Sequence, residues 1–205
     1  MFACARRPLL AGFLAVAGLA SGATVSASAD DLAMKVGGWT NPPIGYVDFC
    51  KHVPDECIVQ GEGAAQTLTD RRWNDLQEVN TFVNRIVIPS TDRDFYQQDE
   101  VWALPETRGD CEDYVLLKRK WLTERGWPTG ALLITVVFDE VGDGHAVLLV
   151  RTSSGDFVLD NKTDTIRAWQ DTAYRFVKRQ SVADPNRWVS VGDPRWTTQN
   201  TAAPR

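Results

Sequence analysis

Gly109-Asp110-Cys111-Glu112-Asp113, Gly144-His145-Ala146-Val147-Leu148-Leu149-Val150 and Phe157-Val158-Leu159-Asp160 decide how this chain is read. The first stretch sets a lone cysteine among carboxylates where a helix should begin. From Cys111 to Arg125, Val115, Leu117, Trp121 and Leu122 fall on one side, and Gly126 then Pro128 supply the stop. The other two stretches are short runs of Val and Leu that read as strands of one hairpin, one opening on a histidine and the other closing on an aspartate.

Working outward, Trp73, Leu76, Val79, Phe82, Val83 and Ile86 recur at three- and four-residue steps, which predicts an amphipathic helix from a Thr69 or Asp70 cap to a stop at Pro89. After the cysteine helix, Ala131 to Phe138, Gly144 to Arg151, Asp156 to Asp160 and Tyr174 to Arg179 read as strands. Helices followed by a meander of strands make an α+β pattern. Asp30 to Gly63 has scattered Gly and Pro and no period, so it reads as a loop-rich segment that packs on the core without defining it. Tyr96 to Thr107 has no clean period either. Ala183 to Arg205, with three prolines and two tryptophans, reads as a tail draped over the sheet, its last residues disordered.

Residues 1–29 read as a signal peptide. Arg6-Arg7 form a basic start, Leu9 to Ala20 a short apolar run, and Ala27-Ser28-Ala29 a small-residue cleavage site, so the mature chain is expected to start at Asp30. The apolar run is too short and too glycine-broken for a comfortable membrane span, which favours a periplasmic or secreted protein with no span after cleavage. About 176 residues then remain, enough for one domain, 30–205. Since the removed segment holds two basic and no acidic residues, the rest carries 20 basic against 27 acidic residues, a net charge of −7. That balance disfavours nucleic acid as a partner. Three cysteines remain. Cys50 and Cys57 flank Pro54 and could close a small loop, which leaves Cys111 free.

A helix N-terminus lowers a thiol's pKa, because its unpaired N–H groups favour negative charge. Asp110, Glu112 and Asp113 act against this, so the site needs positive charge, from an imidazolium at His145 or a bound cation. Asp160 could accept from the second ring nitrogen and hold the tautomer, provided the strand register sets both on one face. Each residue also has a bland reading: a buried structural cysteine, a satisfied strand histidine, a turn-forming acid before Asn161, and acids that merely favour a helix start. The polar surroundings of Cys111 and the ordered set of three favour catalysis. His52 near Cys50 fits no standard metal spacing, and the Lys118 to Lys120 run reads as a solvated helix face. Trp102, Trp121, Trp127, Trp169 and Trp188 could line a substrate groove, but more often such residues belong to the core and its rim.

From about Trp73 to Trp188 the sequence resembles the bacterial transglutaminase-like cysteine peptidase family. The residues that carry this are Trp73-Asn74-Asp75-Leu76, Val79-Asn80, Gly-Asp-Cys-Glu-Asp-Tyr at 109–114, His145-Ala146-Val147-Leu148 and Leu159-Asp160-Asn161-Lys162. The resemblance implies a papain-like, transglutaminase-like core in which the helix bearing the cysteine packs on an antiparallel sheet bearing His and Asp. It further implies Cys111 as nucleophile, His145 as general base and Asp160 as orienting acid. Members of the family include periplasmic proteases that bind calcium and release a surface adhesin under cyclic-di-GMP control. For this chain the resemblance therefore implies a protein substrate, an adhesin among the candidates, and a membrane-bound regulator. Carried over, calcium implicates Asp110, Glu112, Asp113 and, before Trp102, Glu100, where the adhesin proteases use Asp. The backbone N–H of Cys111 is the obvious oxyanion donor, with the Trp102 indole as a guess for a second.

Three functions remain open at this stage: an exported cysteine endopeptidase, an acyltransferase that passes the same thioester to an amine, and a catalytically silent binding module. The cysteine assignment is checked by mass. The native protein is expected to take one alkyl group, and two more only after reduction; a native Cys111 that takes none would remove the enzyme reading.

Overall fold

In the computed structural model, residues 32–193 and residue 195 are described. The expected signal peptide, and the tail at 194 and 196–205 with its expected disorder, lie outside the described residues.

The expected helices form because their apolar stripes have a sheet to cover. The strands are β1 (Val36–Thr40), β2 (Ile88–Pro89), β3 (Arg108–Gly109), β4 (Leu132–Phe138), β5 (Gly144–Thr152), β6 (Gly155–Leu159), β7 (Arg167–Ala168), β8 (Arg175–Gln180) and β9 (Trp188–Val191). The helices are α1 (Ile44–His52), α2 (Asp70–Ile86), α3 (Asp92–Phe95) and α4 (Cys111–Glu124). Seven strands make one antiparallel sheet in the order β1-β9-β8-β4-β5-β6-β7, while β2 and β3 pair in parallel just before the cysteine.

Thr69 caps α2, its hydroxyl accepting from the Arg72 amide at 3.3 Å, and Leu76, Val79 and Val83 on its inner face are fully buried. Burial of each such side chain contributes about 1.5–3 kcal/mol. These residues join Val115 and Leu122 of α4 and Ile134, Ala146 and Leu148 of the sheet in one core. A second core, built from Leu133, Val137, Val147, Leu149, Val158 and Phe176, lies on the opposite face of the sheet. Alternation along β4 and β5 therefore divides the two layers.

Three expectations need correction. The leading segment does help to define the core: β1 pairs with β9, and Tyr46 and Phe49 of α1 are buried in the helix-side core, with the Cys50–Cys57 disulfide closing the end of α1 onto the turn that follows. The tail is not simply draped, because β9 hydrogen-bonds between β1 and β8. Both strands are short; β9 takes β8 as its inner partner and β1 pairs on β9, which period alone cannot show. The Lys118 to Lys120 run is not a solvated face either: Lys118 is fully buried and Arg119 is 2% exposed, whereas Lys120 reaches Glu56 at 2.7 Å. The helix packs α2 on one side and the sheet on the other, so the charge pattern gave the wrong face.

Burial pulls the Lys118 amine from 10.5 down to about 7, against the fields of Asp160 and Asp164. A lysine depressed in the folded state binds fewer protons there than when unfolded, so its contribution is full above the unfolded value and is lost as pH falls towards 7. Urea unfolding of Lys118→Met beside the parent chain is therefore expected to show the variant gaining relative stability between pH 10.5 and 7. A constant difference across that range would mean that the buried amine is already charged in the fold.

Candidate active site

Cys111 is the first residue of α4, and the chain enters it through Gly109 because the Asp113 side chain folds back there: a Cβ on Gly109 would lie 2.4 Å from Asp113 Oδ2. Opposite, β5 begins at Gly144 and His145. The register Leu148 to Leu159 between β5 and β6 delivers Asp160, just past β6, beside that start. His145 Nε2 and Asp160 Oδ1 are 2.9 Å apart and both residues are almost fully buried. That contact leaves Nδ1 as the ring nitrogen available to the cleft, a cavity of about 390 Å³ lined by Cys111, His145, Ala146, Trp102, Glu112 and Lys178. Cys111 is half-buried and outside any disulfide.

Asp160 is the most heavily held carboxylate in the site. Oδ1 also accepts from the Lys162 amide at 3.1 Å, and Oδ2 accepts from the Tyr174 hydroxyl. Burial raises its pKa, but the imidazole and the Tyr174 hydroxyl outweigh this and hold it below the usual carboxylate range. Its backbone carbonyl accepts from Asn84 Nδ2 at 3.0 Å, and Asn80 Nδ2 donates to the Thr163 and Asp164 carbonyls, each at 3.2 Å. Two asparagines one turn apart on α2 thus grip the turn that carries the acid.

The thiol is in the opposite situation. Burial pushes the Cys111 pKa up, Glu112 and Asp110 push it further, and only the Ala146 backbone amide acts the other way. Sγ donates to Glu112 Oε2 at 3.0 Å.

The acids divide differently from the sequence expectation. Asp110 and Asp113 converge with Asp92 of α3, one ligand oxygen from each lying within 4.8 Å of the others. Glu112 is turned to the thiol and Glu100 accepts from the Trp102 indole at 3.1 Å, so neither is in that group. The same contact occupies the Trp102 N–H, the second oxyanion donor expected from sequence. Asp92 Oδ1, Asp110 Oδ1 and Asp113 Oδ2 are buried without a hydrogen-bond partner. The second oxygens of Asp92 and Asp113 accept from the Val101 and Ala103 amides, the latter at 2.8 Å, and so fix the loop carrying Trp102. Burial drives Asp110 and Asp113 each up to about 8, and Asp92 upward too. Asp92 was missed because it sits 18 residues before Asp110 in a four-residue helix. Thr91-Asp92-Arg93-Asp94, a plain cap sequence, was the only signal there.

Glu112→Gln removes the nearest carboxylate charge from the thiol. At a fixed pH below the thiol's pKa, alkylation of Cys111 by iodoacetamide in the presence of chelator is expected to run about tenfold faster, the effect of roughly one pKa unit. Equal rates would show that Glu112 does not load the thiol.

Among solved structures, the calcium-bound form of Legionella pneumophila LapG superposes with a TM-score of 0.50 at 23% identity, over 62% of this chain and 77% of that one. A second LapG structure gives 0.49 at 24% identity over 60% and 70%, and the EGTA-treated form 0.49 at 21% over 61% and 69%. At this identity the likeness establishes the fold, a transglutaminase-like helix layer on an antiparallel sheet. No curated protein sequence matches the chain. The sequence model of the family described as bacterial transglutaminase-like cysteine proteinase, BTLCP, matches residues 36–196. With most of its length inside that match, the chain belongs to the bacterial transglutaminase-like cysteine proteinases and is a cysteine peptidase of that class.

Proposed function

We propose that this chain is an exported endopeptidase that hydrolyses a peptide bond of a periplasmic or cell-surface protein through Cys111, His145 and Asp160. The observation that carries the reading is the buried 2.9 Å contact between His145 and Asp160, with Cys111 and His145 lining one cleft. Nδ1 of His145 takes the thiol proton as Sγ attacks the scissile carbonyl, and Asp160 holds the Nε2–H tautomer. The oxyanion faces the Cys111 backbone N–H, one of the unpaired donors at the start of α4. Collapse breaks the C–N bond, His145 returns its proton to the leaving amine, and the acyl group stays on sulfur. Water, deprotonated by His145, then releases the acid and restores the thiol.

Calcium fits the acidic group as a resident ion. Three buried carboxylate oxygens without hydrogen-bond partners, from Asp92, Asp110 and Asp113, are hard donors of the kind it takes. When bound it would supply the positive charge that these acids and the neighbouring thiol lack. The calcium-bound form of LapG, on the same fold, is in keeping with this. Surface adhesins and a membrane-bound regulator remain the partners suggested by the family resemblance. Among the described residues no helix is long and apolar enough to cross a membrane.

Calcium is expected to raise the thermal unfolding midpoint of the full chain by several degrees, magnesium much less, and Asp92→Ala to abolish the calcium shift. An unchanged shift in Asp92→Ala would place the ion elsewhere. For the reaction, exported proteins incubated with the parent chain should gain new N-termini that are absent with Cys111→Ala. Cleavage that persists in Cys111→Ala would remove the nucleophile, and products carrying an added primary amine would redirect the reading to acyl transfer.

A further inference from the structure

Asp160 has two anchors, and only one of them is the histidine. Its Oδ2 accepts from the hydroxyl of Tyr174, a residue just before β8 that is 8% exposed. The Tyr174 ring also meets the His145 imidazole edge-on, with centroids 5.5 Å apart and planes at 70°. One side chain thus touches both the base and the acid.

Tyr174 is itself held in place. Arg195 donates to the carbonyls of Trp169 at 3.3 Å, Gln170 at 3.0 Å, Thr172 at 2.9 Å and Tyr174 at 2.7 Å, and its guanidinium is paired with Asp193 at 2.6 Å. A planar five-donor group is well suited to gather several carbonyls in this way. Burial and the Asp160 carboxylate both raise the Tyr174 pKa, so the hydroxyl remains a donor. Asp160 and Tyr174 together wall a second cavity, of about 320 Å³, which neither Cys111 nor His145 lines. Without the phenol, Oδ2 would have only water from that side, a partner free to move.

We infer that Tyr174 is a positioning residue of the hydrolysis, fixing Asp160 through its hydroxyl and the His145 ring through its edge, so that Nδ1 stays aimed at the cleft. The inference rests on the reading of Cys111, His145 and Asp160 as the triad. It adds a fourth member that touches no substrate and acts only through the other two. Arg195, two strands of chain away, supports it in turn by locking the 169–174 segment.

The test uses the full chain and two probes. The chain has two histidines, His52 and His145, so the ring nitrogens of 15N-histidine protein give two sets of signals, with exposed His52 as internal reference. The parent is expected to hold His145 in the Nε2–H tautomer. In Tyr174→Phe the His145 signals should move towards mixed tautomers while those of His52 stay put. Alkylation of Cys111 by iodoacetamide at neutral pH should slow about tenfold, the worth of one hydrogen bond to a charged group. Parent-like tautomer and alkylation in Tyr174→Phe, with His145→Ala slow, would overturn the role of Tyr174 and leave the triad standing. Equal alkylation of the parent and His145→Ala would overturn the triad, and the inference with it. Should Tyr174→Phe fail to fold, Arg195→Lys keeps the charge opposite Asp193 but loses the fork. The same changes at smaller size would support the inference, and a parent-like result would overturn it.

Discussion

The start of α4 is pressed against the start of β5, and the chemistry depends on that junction. One side brings a thiol at a helix N-terminus, the other an imidazole at the end of a strand, and neither can move without unpacking a core. On the helix side Val115 and Leu122 are buried against α2 and the sheet. On the strand side Val147 and Leu149 lie in the opposite core. Close-packed interiors tolerate little displacement, so the relative positions of Cys111 and His145 are set by packing on both faces of the sheet at once.

Acidic side chains are concentrated at this junction. Glu112 accepts from the thiol, and Asp92, Asp110 and Asp113, each with one unpartnered oxygen, converge in one group. Buried like charges of this kind raise one another's pKa and oppose ionisation of the thiol. Asp92 and Asp113 also bind the loop that carries Trp102, each through its other oxygen. Charge at the acidic group and order in the loop bordering the cleft are therefore physically linked, and a hard cation would act on both together.

Beneath Asp160 the helix layer is polar where the sequence suggested either apolar core or solvent. Asn80 and Asn84 grip the 160–164 turn, and Lys118 lies fully buried with its amine unpartnered. A lysine run on a helix is ordinarily a solvated face, because burying an ammonium is costly. Here α4 is covered on two sides, and the fields of Asp160 and Asp164 partly offset the cost. On the other side Tyr174 and Arg195 complete the enclosure, from a stretch whose sequence read only as a strand and a tail.

The sequence by itself determined the α+β class, the two long helices with the Thr69 cap of one and the Gly126 stop of the other, the lone thiol at a helix start and the family to which these motifs point. Those are local properties: three- and four-residue apolar steps, strand runs bounded by turn residues, and a short motif of high specificity. Only the tertiary structure decided that Leu148 pairs with Leu159 and so sets Asp160 beside His145, since a slip of one residue would turn one of them to the opposite face. It also brought Asp92 to Asp110 and Asp113, turned Glu100 and Glu112 to other partners, drew β1 and β9 into the sheet and set Tyr174 against Asp160. Each of these joins residues far apart in the chain, or chooses between equivalent oxygens and faces. The choice is made by what else is packed there, and no local pattern carries that information.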